Sequence, residues 1–281
     1  MNKVIITTDS TCDLSEEILK TFNIKVIPLL VTFGEETYKD GEDITTKELY
    51  KLVEEVGVLP KTAAPSLVSF HSFFKQYIDE GYDIVHVSIS EKLSSTIQNA
   101  TIAAQEFPEG RIQIVDSMNL STGVGLVALK AARFAQMGLS ANEVAEKARA
   151  LAPKVETAFV IDTMEYLHKG GRCSGIASFV GTMLKIKPII HVVDGGMIVG
   201  SKPRGRNKAF DILLNKIIKD KAILDPEFVM VTHSLNFESA AYLRKELEKH
   251  LEIENLYETT AGCVISSHCG EGTIGILYIT K

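Results

Sequence analysis

Between Val4 and Met137 a short apolar run passes into a cluster of hydroxyl and acidic residues and then into a helical segment, and this happens four times. Residues 4–8 end in Asp9-Ser10-Thr11-Cys12-Asp13, with Asp13 and Glu16 at capping-box spacing for a helix over 16–21. Residues 24–32 form a second strand, which Pro28 places near an edge or at a bulge. Thr45 and Glu48 make a second capping box, for a helix over 47–56. Ser66 or Ser69 opens a helix to Ile78, and a buried strand over 84–89 leads into Leu93-Ser94-Ser95-Thr96-Ile97-Gln98 and another helix. Residues 111–115 form a strand that ends in Asp116-Ser117, before a small-residue helix over 123–137. Strands alternating with helices in this way predict a mostly parallel α/β sheet with helices on both faces.

The rhythm changes near residues 151–154, which sets expected domains at 1–152 and 153–281. Residues 187–202 read as a hairpin around Asp194-Gly195-Gly196. Helices over 207–220 and 238–250 alternate with strands over 157–162, 227–232, 252–258 and 276–280. Mixed antiparallel signals make this half α+β. Residues 264–275 are rich in Gly and Ser and read as a loop, as does the basic stretch 169–175.

A chain of 281 residues with 45% hydrophobic and 23% charged residues can bury a full core. A net charge of −6 and the absence of Trp argue against nucleic-acid binding. The N-terminus lacks the pattern of a secretion signal, and no apolar run reaches the length of a membrane span. Cys12, Cys173, Cys263 and Cys269 have no metal spacing, and the histidines show no HExxH. The expectation is a cytoplasmic protein with no metal.

Three polar stretches are candidates for chemistry. Ser94, Ser95 and Thr96 stand where a strand ends and a helix begins, where α/β sheets bind ligands and where a hydroxyl can equally cap the helix. Thr62 lies in a loop between Pro60 and Pro65, which restrict its backbone. His268 sits among Ser266, Ser267 and Gly270, able to donate to an anion or simply to face solvent. A hydrolase built from Ser94 or Ser95 with His268 and Asp116 is the alternative, but it lacks the glycines of GxSxG. No GxxxxGK[ST] is present, which argues against an ATP site in this chain. Lys169, Arg172, Lys202, Arg204 and Arg206 are basic residues in an acidic protein, either solvated or gathered for a phosphate or an acidic partner.

Several of these stretches, in this order, resemble the DegV family, the fatty-acid-binding subunits of bacterial fatty acid kinases. They are Thr7 to Leu14, Lys61-Thr62-Ala63-Ala64-Pro65-Ser66, Leu93-Ser94-Ser95-Thr96, Val115-Asp116-Ser117, Tyr166 to Arg172, Lys187-Pro188-Ile189 and His268-Cys269-Gly270-Glu271-Gly272. The resemblance runs end to end and implies a Rossmann-like domain plus an α+β domain, with a fatty-acid tunnel between them. It implies that Thr62, Ser94 and His268 hold the carboxylate, with Ser95 replacing the family's usual Gly and competing with Ser94 for that role. It further implies a non-catalytic carrier whose only ligand is a long-chain fatty acid. A separate ATP-dependent kinase phosphorylates that acid for phospholipid synthesis, with Arg172 and Arg204 at the kinase contact.

Overall fold

The computed structural model of the chain describes residues 2–174 and 186–281. Gly175, the last residue of the expected basic loop, lies outside the described residues.

The chain begins with β1 (Lys3–Asp9), α1 (Glu16–Phe22), β2 (Lys25–Ile27), β3 (Leu30–Phe33), β4 (Glu36–Lys39) and α2 (Thr46–Val56). It continues through β5 (Lys61–Ala63), α3 (Leu67–Asp79), β6 (Tyr82–Ser88), α4 (Thr96–Ala104) and β7 (Ile112–Asp116). Two helices follow, α5 (Thr122–Gln136) and α6 (Ala141–Leu151). The remainder runs β8 (Val155–Val160), α7 (Glu165–Gly170), β9 (Cys173–Ser174), β10 (Ile189–Val193), β11 (Gly196–Val199) and α8 (Arg206–Lys219). It ends with β12 (Leu224–His233), α9 (Phe237–His250), β13 (Leu256–Thr260), α10 (Cys263–Cys269) and β14 (Ile274–Thr280).

Strands β2, β1, β6 and β7 form a parallel sheet in that order. Ile84, Val85 and Val87 of β6 are fully buried, as strands covered on both faces require. Phe70 and Phe74 of α3 with Ala100 and Ala103 of α4 pack on one face. Helices α5 and α6 cover the other. Helix α5 is buried without a break from Thr122 to Ala132 and has no solvent face over those turns. It touches β1 and β6 on one side and β8, β12 and β14 on the other, joining the first half to the second through one apolar cluster. Gly125 lets α5 approach the segment between β1 and α1, since a Cβ there would meet Leu14 and the carbonyl of Cys12.

The second half builds a seven-stranded mixed sheet, β13-β12-β14-β8-β10-β11-β9. The expected hairpin is β10–β11, turned by Asp194 and Gly195, both at positive φ. The architecture is thus the expected parallel α/β unit beside an α+β unit. A third, antiparallel sheet of β4-β3-β5 was not foreseen.

Three local expectations need correction. Residues 24–32 are two strands in two sheets, because Pro28 has no N–H and ends β2 before β3 starts. Asp13 does not cap α1; Ser15 does, accepting from Ile18 N, while Asp13 adopts φ 50° and turns its carboxylate elsewhere. The supposed Gly/Ser loop around His268 begins as helix α10. The expected Thr45–Glu48 capping box forms, and Ser140 with Glu143 makes another at the start of α6.

Candidate functional site

The parallel sheet has its switch point between β1 and β6, whose chains turn off in opposite directions. Asp9, at the end of β1, is fully buried there. Its carboxylate accepts from Ser88 Oγ at 3.0 Å, Ile89 N at 2.9 Å and Thr11 N at 3.1 Å. The segment released at Ile89 carries Ser94 and Ser95 into α4.

Thr62 is the central residue of β5 and pairs with Val31 of β3. His268 lies in the last turn of α10. Thr62 Oγ1 and His268 Nε2 are 2.8 Å apart. His268 Nδ1 is buried with no hydrogen-bond partner among the described residues. Burial, and then the charge of Arg172, push the His268 pKa down to about 4, so the ring is neutral at pH 7. A neutral ring that donates from Nε2 to Thr62 Oγ1 leaves the Thr62 proton free for a ligand.

Thr62, Ser94, Ser95 and His268 line one cavity of about 350 Å³. Its other walls are mainly apolar, from Leu29, Ile89, Leu93 and Leu120 in the first half and Met197, Val264 and Ile265 in the second. A narrow space of about 30 Å³ lies behind Leu120, Ile265 and Cys269, which wall both. A few polar groups set in mainly apolar walls suit an amphiphilic ligand.

The two serines differ. Ser94 Oγ is 2.8 Å from Thr96 Oγ1 and accepts from Thr96 N at 3.3 Å, so it serves the start of α4 while facing the cavity. Ser95 occupies the N-cap position but makes no side-chain cap bond and is exposed. Neither is paired with His268, whose Nε2 is engaged by Thr62. Asp116 instead accepts from Met118 N and Glu91 N. It lines a separate open groove of about 1000 Å³ that contains none of Thr62, Ser94, Ser95 or His268. The Ser–His–Asp arrangement of the alternative is therefore not assembled.

Arg172 lies in the same cavity wall, the only charged side chain there among the described residues. Its Nη1 donates to the Gly170 carbonyl at 2.7 Å. Arg204 is exposed and away from the cavity. Lys169 pairs with Glu165, and Lys187 and Arg206 pair with Asp162.

Sequence reasoning missed two supports. Asn99 Nδ2 donates to the Pro65 carbonyl at 2.8 Å, tying α4 to the segment that follows the Thr62 strand; its place one turn after Ser95 was the available signal. Gly170 leaves room for the His268 ring, since a Cβ there would collide with Nδ1. All four cysteines are buried thiols, and no group of side chains able to hold a metal occurs among the described residues. No helix among them is long and apolar enough to cross a membrane.

The whole chain has relatives with this architecture. A DegV domain-containing protein of Clostridium acetobutylicum is 36% identical over 282 residues, covering all of both chains. The structure of a fatty-acid-binding DegV family protein from Thermus thermophilus superposes with a TM-score of 0.92, at 32% identity and 100% of each chain. A stearic-acid-binding protein from Eubacterium ventriosum gives 0.88 at 30% identity, covering 100% of this chain and 99% of that one. The model of the DegV family, described as uncharacterised proteins, matches residues 3–281, and with these whole-length relatives it establishes that the chain belongs to the DegV family.

Proposed function

We propose that this protein is a carrier for one long-chain fatty acid, held with its carboxylate at Thr62, Ser94 and His268 and its tail among the apolar walls of the cavity. The observation that carries this reading is the cavity itself: a Thr–His pair, a serine and one arginine gathered at an otherwise mainly apolar space. The fatty-acid-binding relatives support the choice of ligand.

The energetics fit a carrier. Burying some fourteen methylenes contributes about 11 kcal/mol at roughly 0.8 each, before the cost of immobilising the ligand. Each charge-assisted hydrogen bond to the carboxylate adds about 1.5–3 kcal/mol, much of it offset by desolvation. The tail thus supplies affinity and the clamp supplies orientation. Arg172 offers the cation that a neutral His268 cannot.

A carboxylate held by these polar groups would be the substrate for phosphoryl transfer by a separate ATP-dependent kinase, giving an acyl phosphate for phospholipid synthesis. Exposed Arg204 and part of Arg172 would face that partner. Titration with palmitate, monitored by native mass spectrometry, should show one lipid per chain. Palmitate-loaded protein mixed with the kinase and ATP should yield acyl phosphate. Binding without phosphorylation would keep the carrier and remove the kinase step.

A further inference from the structure

Helix α10 brings His268 to Thr62, yet its N-terminus carries no cap of its own: Gly262 is the N-cap residue and offers no side chain. Two carboxylates from the first half stand in for it. Asp13 Oδ1 accepts from Gly262 N at 2.8 Å, and Asp40 Oδ1 accepts from Cys263 N at 2.7 Å. These bonds reach across 249 and 223 positions of sequence. Both aspartates are buried, at 6% and 3% exposure. A Cβ at Gly262 would press on Asp13 Oδ1 and on both oxygens of Asp40, so the glycine lets both carboxylates approach.

The other oxygen of each carboxylate leads back into the first half. Asp13 Oδ2 accepts from Ser121 Oγ at the start of α5. Asp40 Oδ2 accepts from Ser10 Oγ at 2.9 Å, and Ser10 Oγ in turn accepts from Leu29 N at 3.0 Å. Asp40 follows β4, in the same three-stranded sheet that carries Thr62 on β5. One carboxylate therefore connects the Thr62 sheet to the helix that carries His268.

We propose that Asp40, with Asp13, is a positioning residue of the clamp: the pair caps α10 from outside and sets His268 Nε2 against Thr62 Oγ1. Neither aspartate lines the cavity or touches a ligand there. As hydrogen-bond acceptors they suit a helix N-terminus, where N–H groups point outward and lack helical partners. Burial pushes both carboxyl groups above their ordinary pKa, opposed by these N–H and hydroxyl donors.

The inference rests on the fatty-acid reading, and its test separates the two. Partition of radiolabelled palmitate and of 1-hexadecanol is measured for the wild type, Asp40→Ala, Asp40→Asn and Ser10→Ala. The expected result is a loss of tenfold or more in palmitate affinity for Asp40→Ala, with hexadecanol changed less than twofold. Asp40→Asn, which keeps an acceptor for Cys263 N, should recover most of the affinity. Ser10→Ala, a milder change, should lose three- to fivefold for palmitate alone and decides the matter if Asp40→Ala does not fold. Equal losses for both lipids, or unchanged palmitate binding in Asp40→Ala or, where that variant does not fold, in Ser10→Ala, overturn the positioning role. Wild-type protein that binds no palmitate overturns the fatty-acid reading and the inference with it.

Discussion

Thr62 Oγ1 and His268 Nε2 lie 2.8 Å apart although 206 positions separate the residues in sequence. The contact joins the smallest sheet of the protein to a seven-residue helix of its second half. With Nε2 as the donor, the pair would act as one relay in the proposed clamp, imidazole to hydroxyl to ligand.

A relay predicts non-additive losses. Thr62→Val and His268→Gln should each weaken palmitate binding by about tenfold, the loss of one charge-assisted hydrogen bond at roughly 1.5 kcal/mol. The double variant should be little worse than either single one, because the pair acts as a unit. A double-mutant cycle by calorimetry checks this; fully additive losses would separate the two residues.

Ser94 and Ser95 should behave differently. Ser94 faces the cavity while bonded at the start of α4, whereas Ser95 is exposed and caps nothing with its side chain. Ser94→Ala is expected to lose about tenfold in palmitate affinity on the same scale, and Ser95→Ala less than twofold. Binding measured on the two variants assigns the serine.

Gly170→Ala should stabilise an isolated helix, since alanine is favoured there by about 1 kcal/mol. In this protein the added methyl would collide with His268 Nδ1. Palmitate affinity should fall while far-ultraviolet circular dichroism stays the same. An unchanged affinity would show that the ring can move freely.

The depressed pKa of His268 has a defined sign in stability. The folded value is about 4 and the ordinary value 6.5, so protonation favours the unfolded chain. The stability from keeping the ring neutral is complete above pH 6.5 and is lost as pH falls toward 4. Fully buried His86, held to about 3 by desolvation, acts in the same direction over a wider window. Buried Asp9, Asp13 and Asp40, with raised values, act in the opposite direction. The clean comparison is therefore between variants: the drop in melting temperature from pH 7 to pH 5 should be smaller in His268→Gln than in the wild type.

The parallel sheet was legible because its evidence is local. Apolar runs such as residues 84–89 and the boxes at Thr45–Glu48 and Ser140–Glu143 specify elements from neighbouring residues. Helix α10 was hidden because its caps, Asp13 and Asp40, come from the far end of the chain, and serines disfavour a helix unless something holds it. For the same reason Asp13 looked like a cap for α1. Thr62, Ser94 and His268 were each visible as polar residues at turning points, and the family resemblance grouped them. Their meeting in one cavity depends on β5 pairing with β3 and on α5 joining the two halves, which no spacing reveals. Arg172 was read as a partner contact, and its place in the cavity wall became visible only once Gly170 and Leu93 stood beside it.

The identity of any lipid that accompanies the purified protein bears most directly on the central claim. Denatured protein, extracted and examined by mass spectrometry, should release a long-chain fatty acid, and delipidated protein should take up palmitate at one per chain. Recovery of no fatty acid, with no uptake of palmitate or oleate by the delipidated protein, would contradict the account.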